Sequence, residues 1–261
     1  MELNVERDGP IAVVTYSHPP VNALAADTLP AIREAFTALG EDRSVRVIVF
    51  TSTGERAFIA GADLKSRNVH VPSEDALRPA SEVIDMGRKA RDAFWAFFDC
   101  GVPIVTAVNG PALGAGLAFV AMSDFVVAAE HARFGMTEIN VGILGGGAFL
   151  ERMIGPIRAR KMFLTGRQAP AQEFHELGVV DAVVPISKLL DTAMDLAREL
   201  AAKSPIAMRL AKESMLRIEN LPFKEAYRIE QDYTHRLVQF DDATEARRAF
   251  VEKRDPVWRW Q

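Results

Sequence analysis

Two short stretches rich in glycine and alanine are where this chain is equipped to do chemistry. The first, Leu113-Gly114-Ala115-Gly116, follows an apolar run, Ile104 to Val108, that is broken by Asn109-Gly110-Pro111; it leads into an apolar helical stretch from Leu117 to Met122. The order strand, glycine turn, helix leaves backbone N–H groups without partners at the turn, and small side chains let a ligand approach them. The second, Ala57-Phe58-Ile59-Ala60-Gly61-Ala62-Asp63-Leu64-Lys65, passes from extended chain through small residues into a short helix. Two such bends are the raw material of an oxyanion hole, which needs converging donors aimed at a developing negative charge.

Other chemistries find less support. Gly114-Ala115-Gly116 lacks the third glycine of a dinucleotide fingerprint, since Phe119 stands there, and no phosphate-binding P-loop pattern occurs. The five histidines, His18, His70, His131, His175 and His235, have no metal-ligand spacing, and no nucleophile elbow marks a Ser-His-Asp set. Cys100 is the only cysteine, which rules out an intrachain disulfide and a cysteine-based metal site.

The bends must be held by a sizeable core. Of 261 residues, 49% are hydrophobic and 25% charged, with a net charge of −4. That composition predicts a folded chain and gives no electrostatic support to nucleic-acid binding. No apolar run reaches membrane-span length, and the acidic opening MELNVERDGP lacks the apolar region of a signal peptide, so a cytoplasmic protein is expected.

The pattern predicts an α/β chain. Leu3 to Tyr16 reads as a hairpin around Gly9-Pro10, and Asp27 to Leu39 as a helix stopped by Gly40. Val45 to Thr51, Ile104 to Val108, Phe125 to Ala129 and Val179 to Val184 read as strands. Arg67 to Asp75 reads as a mobile loop, and Ala76 to Asp99 as a helix whose Met86, Phe94, Trp95 and Phe98 belong to a pocket or to the core. Helices are expected from Gly145-Gly146-Gly147 through Ile154, from about Ile157 to Thr165, and at Ala171–Leu177. From Ser187 only helices follow, at Leu189–Ala202, Pro205–Arg217, Lys224–Phe240 and Thr244–Lys253. A division into residues 1–195, carrying the site, and a helical region 196–261 is expected.

Several motifs in this order resemble one family, the crotonase superfamily of enoyl-CoA hydratases and isomerases. They are Asn22-Ala23-Leu24, Ala60-Gly61-Ala62-Asp63-Leu64-Lys65, Ala107-Val108-Asn109-Gly110, Ala112-Leu113-Gly114-Ala115-Gly116, Ser123-Asp124, Phe134-Gly135 with Glu138-Ile139, Leu164-Thr165-Gly166, and Ala249-Phe250 with Glu252-Lys253-Arg254. The resemblance spans nearly the whole chain. It implies a crotonase-like spiral of ββα units, a helical C-terminal region that packs trimers, and trimers paired into hexamers. The implied ligand is an acyl-CoA thioester, with coenzyme A entering as part of the substrate and no separate cofactor.

By the same resemblance the N–H groups of Ala62 and Ala115 bind the thioester oxygen. Ala23, Ala60, Asp63, Leu64 and Lys65 fall at positions that bind the coenzyme, and Glu138 falls where the family has a catalytic glutamate. An apolar cleft favours the neutral form of a carboxyl group, which suits proton transfer near neutral pH. Ala118 is a departure, for hydratases of the family carry a second glutamate there. Glu151, after Gly145-Gly146-Gly147, is a candidate replacement, though an exposed helical position is the plainer expectation. Asp124 is expected to order a turn. The single carboxylate leaves a hydratase, a Δ3-Δ2-enoyl-CoA isomerase, an acyl-CoA decarboxylase and a non-catalytic acyl-CoA-binding protein open.

Overall fold

The computed structural model describes residues 1–25, 27–63, 84, 85 and 87–261. The expected loop 67–75, the first part of the helix expected from Ala76, and Leu64, Lys65, His70 and Met86 lie outside the described residues.

Strands β1 (Glu2–Asp8) and β2 (Ile11–Ser17) form the predicted hairpin, closed by a two-residue loop in which Gly9 adopts φ +55°. Helix α1 (Thr28–Glu41) buries Ile32, Phe36, Leu39 and Gly40 on one stripe. Gly40 does not stop this helix. A Cβ there would lie 3.2 Å from Cys100 Sγ and from the Gly101 amide, so the glycine serves close packing, and Asp42 caps the helix. Strands β3 (Val47–Ser52) and β4 (Ile104–Val108) follow, separated by helix α2 (Arg88–Phe98). All five residues of β4 are buried, as a central strand covered on both faces requires.

Next come β5 (Ala112–Leu113), α3 (Ala115–Ala121), β6 (Phe125–Ala129) and β7 (Arg133–Gly135). A 3-10 turn, Glu138–Val141, precedes α4 (Gly147–Ile154) and α5 (Pro156–Thr165). Then come β8 (Ala169–Pro170), α6 (Ala171–Glu176) and β9 (Ala182–Val184). The last strand is shorter than the expected Val179–Val184. Gly178 turns at φ +75°, and the amides of Val179 and Val180 both return to the Phe174 carbonyl.

Two rows of strands result. The main sheet has the order β1-β2-β3-β4-β6-β9, parallel apart from the β1–β2 hairpin. The second row is built from fragments: bridges Leu24–Ala62 and Ile59–Ala112, then β5, β7 and β8. The circuits through β3, β4 and β6 each add a five- or six-residue strand to the first row and a short piece to the second, which is the expected spiral of strand, strand and helix. Phe36, Phe50, Phe97 and Phe119 pack ring against ring in the core, with centroids 4.5–5.8 Å apart.

Helix α7 (Ile186–Ala201) lies against the main sheet, and residue 196, the expected division, falls within it. Helices α8 (Pro205–Ile218), α9 (Phe223–Leu237) and α10 (Asp241–Glu252) complete the chain. Ser204 caps α8, its Oγ accepting from the Ala207 amide at 3.2 Å, with Pro205 at the first helical position. Ile206, Leu210 and Tyr233 form a small core of their own. Asp124 orders the turn before β6, as expected. Its Oδ2 accepts from the Ile104 amide at 2.7 Å and from the buried Lys212 Nζ at 2.6 Å, tying α8 to the start of β4.

Candidate active site

The two glycine/alanine bends run side by side. The Phe58 amide donates to the Pro111 carbonyl at 3.0 Å and the Leu113 amide to the Ile59 carbonyl at 2.9 Å. Gly116 permits this approach, because a Cβ there would strike the Ile59 carbonyl and lie 2.9 Å from its Cβ. On the other edge of the first bend the Leu24 amide donates to Gly61 at 2.8 Å and the Asp63 amide to Leu24 at 2.9 Å. Those bonds use the N–H groups flanking the bridge and turn the Ala62 N–H away from Leu24. Ala115 opens α3, where an N–H has no intrahelical acceptor. Among the described residues neither the Ala62 nor the Ala115 amide donates to a protein acceptor.

A buried polar network holds the roots of both bends. Asn22, at φ +53°, donates through Nδ2 to the Thr53 and Ala57 carbonyls at 2.9 Å and to Ser52 Oγ at 3.2 Å, and accepts from the His18 amide. Ser52 Oγ donates to Asn109 Oδ1 at 2.9 Å, and Asn109 Nδ2 reaches the Gly54 carbonyl. Asn22 holds the Ala57 carbonyl where the first bend begins, and Asn109 lies just before the second, so the network ties the two bends together. Left unsatisfied in this setting, either amide would cost about 1–3 kcal/mol.

Both bends open onto a cleft of about 490 Å³. Ala60, Ala62 and Asp63 line it from the first bend, Gly114, Ala115 and Ala118 from the second, and Glu138 from the 3-10 turn. The remaining wall is mainly apolar: Leu29, Phe94, Met136, Ile143, Leu144 and Phe149. Lys89 adds a cation from the first turn of α2.

Glu138 meets Gly114 directly. Gly114 holds φ +53° and ψ −119°, and a Cβ on it would collide with Glu138 Oε1 and lie 3.1 Å from the carboxylate carbon. The carboxylate is therefore seated on the residue immediately before the Ala115 amide. Two further glycines in the left-handed region flank the same segment: Gly146 receives Met136 Sδ, and Gly166 receives the Asn140 amide group.

Not every sequence candidate reaches the cleft. Ala23 does not line it; its carbonyl accepts from Tyr16 Oη at 2.7 Å and from His18 Nδ1–H at 2.6 Å. Leu64 and Lys65 lie outside the described residues. Glu151 is exposed on α4 and does not line the cleft, so the position of Ala118 has no replacement carboxylate from that helix. Of the helix residues left between pocket and core, Phe94 lines the cleft, while Trp95 is exposed and Phe98 packs under the Arg152 guanidinium, 5.0 Å from its ring centroid. Lys89 and Phe149 were not singled out from sequence. Only the triglycine before Phe149 signalled that its helix begins at the cleft.

Comparison with known proteins gives a consistent result. The sequence profile of the enoyl-CoA hydratase/isomerase family matches residues 6–261. Carnitinyl-CoA dehydratase of Salmonella enteritidis PT4 is 35% identical over 264 residues, covering 98% of each chain. An enoyl-CoA hydratase from Bacillus anthracis superposes with a TM-score of 0.90 at 31% identity over 100% of both chains. DspI of Pseudomonas aeruginosa gives a TM-score of 0.88 at 30% identity, covering 98% of this chain and 96% of its own.

Proposed function

This chain belongs to the enoyl-CoA hydratase/isomerase family, and on that footing we propose that it binds an acyl-CoA thioester and moves a proton at the α-carbon with Glu138. The observation that carries the reading is the seat of the Glu138 carboxylate on Gly114, next to the open Ala115 amide and in the same cleft as the Ala62 amide. The thioester oxygen takes the two amides as donors. The Glu138 carboxylate removes an α-proton, and the electrons of the broken C–H bond move onto that oxygen as an enolate. Donors fixed in advance stabilise this charge without reorganisation; losing one such donor typically costs ~10²–10³ in rate.

One carboxylate suffices to return the proton elsewhere. With a 3-enoyl-CoA substrate the enolate extends to the γ-carbon, Glu138 protonates it there, and the double bond moves into conjugation. The apolar residue Ala118, 2% exposed, removes a group that would hold and activate water, which favours isomerisation over hydration. The 35% identity to a carnitinyl-CoA dehydratase supports a second reading. There, Glu138 passes the α-proton to a departing β-hydroxyl, and water leaves. Assays with a 3-enoyl-CoA, crotonyl-CoA and carnitinyl-CoA separate the two. In either case Glu138→Gln should lower turnover by ~10²–10⁴ while coenzyme A ester binding survives, and unaltered turnover would refute the role given to Glu138.

Ala60, Ala62 and Asp63 line the cleft beside the two amides; we assign coenzyme binding to them and to Leu64 and Lys65, which follow in sequence. Coenzyme A enters with the substrate, and no step calls on a separate cofactor. Self-association, as a trimer or a hexamer, is supported by large apolar side chains exposed on α8 to α10: Met215, Phe223, Phe250 and Val251. Sedimentation showing only a monomer would remove that part.

A further inference from the structure

Glu138 begins a four-residue 3-10 turn, an element whose own hydrogen bonds are too few and too poorly aligned to fix a side chain. Something outside the turn must hold it. Residue Asn140, on the same turn, donates through Nδ2 to the Gly166 carbonyl at 3.2 Å. Gly166 ends α5 in the left-handed region, φ +59° and ψ 25°, with its amide returning to Phe163 and the Arg167 amide to Met162. That cap aims the Gly166 carbonyl at the turn. The absent side chain also makes the seat, since a Cβ on Gly166 would overlap both terminal atoms of Asn140.

We propose that Asn140 is a positioning residue for Glu138, locking the 3-10 turn to the capped end of α5 so that the carboxylate stays on Gly114. The inference rests on the reading of Glu138 as acid/base. The mechanism is rotational. Glu138 and Asn140 lie on one short turn, so releasing the Gly166 anchor lets that turn roll and carries the carboxylate off its seat. A shift of about 1 Å in a reacting group can cost ~100-fold in rate.

The test uses α-proton exchange of butyryl-CoA in D2O, followed by mass spectrometry, with calorimetric binding of the same ester measured alongside. Asn140→Ala and the isosteric Asn140→Asp, which has no donor, should both slow exchange at least tenfold and leave the dissociation constant within about twofold. Gly166→Ala, which fills the seat, should do the same, and combining it with Asn140→Ala should add little, because both remove one anchor. Crystals of the Asn140→Ala protein should show the carboxylate displaced from Gly114. Wild-type exchange in the Asn140 variants, or an unmoved carboxylate, overturns the inference even where Glu138→Gln is inactive. Exchange that persists in Glu138→Gln instead overturns the underlying reading of Glu138.

Discussion

Replacing Gly114 with alanine tests the site at its most constrained point. The backbone there, φ +53° and ψ −119°, is one that L residues rarely adopt, and holding alanine in it costs roughly 1–3 kcal/mol. The added Cβ would also occupy the space of Glu138 Oε1. Because that oxygen ends a side chain that can rotate, the clash is relieved by moving the carboxylate, not by unfolding. Stability should therefore fall only by the backbone term, while turnover falls ~100-fold or more because the base has shifted by about an ångström. Gly9→Ala is the matched control: Gly9 has φ +55° and nothing within 4 Å of its would-be Cβ. Denaturant unfolding of both variants should show losses of similar size, and steady-state assays should show a catalytic defect only for Gly114→Ala. A Gly114→Ala protein as active as the Gly9→Ala protein would refute the seat assigned to Glu138.

Other outcomes follow from the packing. Asp124→Ala should destabilise the fold by about 3 kcal/mol in urea unfolding, because it leaves the buried Lys212 ammonium without its carboxylate; Arg228→Ala, which breaks an exposed pair with Asp232, should change stability by about 0.5 kcal/mol or less. Phe97→Ala should cost ~3–5 kcal/mol by the same measurement, since its fully buried ring touches Phe36, Phe50 and Phe119. The C-terminal tail should loosen in acid. The Arg254 guanidinium, followed by the Val257 amide, holds the Glu245 carboxyl down to about 2. A depressed folded value means that this pairing supports the tail above the ordinary glutamate range and is lost as pH falls from about 4.5 towards 2. Iodide quenching of tryptophan fluorescence should rise over that interval, reporting Trp258 and Trp260 of the tail, and should already be raised at neutral pH in Glu245→Gln.

Much of this architecture was legible in the residues themselves. Strands β2, β3, β4 and β6 are apolar, β-branched runs bounded by turn residues, and such runs are buried wherever a sheet is covered on both faces. The helical last third announces itself by periodicity, and the two small-residue bends by composition. What local pattern could not supply is any fact that depends on two distant segments meeting. Strands β5, β7 and β8 have two or three residues each, too few to show alternation, and exist because the spiral lays them beside one another. Gly40 reads as a helix stop until Cys100 and Gly101 are packed against it. Ala23 shares a motif with Asn22 and Leu24, yet its carbonyl is taken by Tyr16 and His18. Gly114 could be read as a turn glycine from sequence alone. Only tertiary structure placed a glutamate from another circuit of the chain in the space its missing side chain leaves, and a seat of that kind has no signature in the local order of residues because the group that fills it comes from elsewhere.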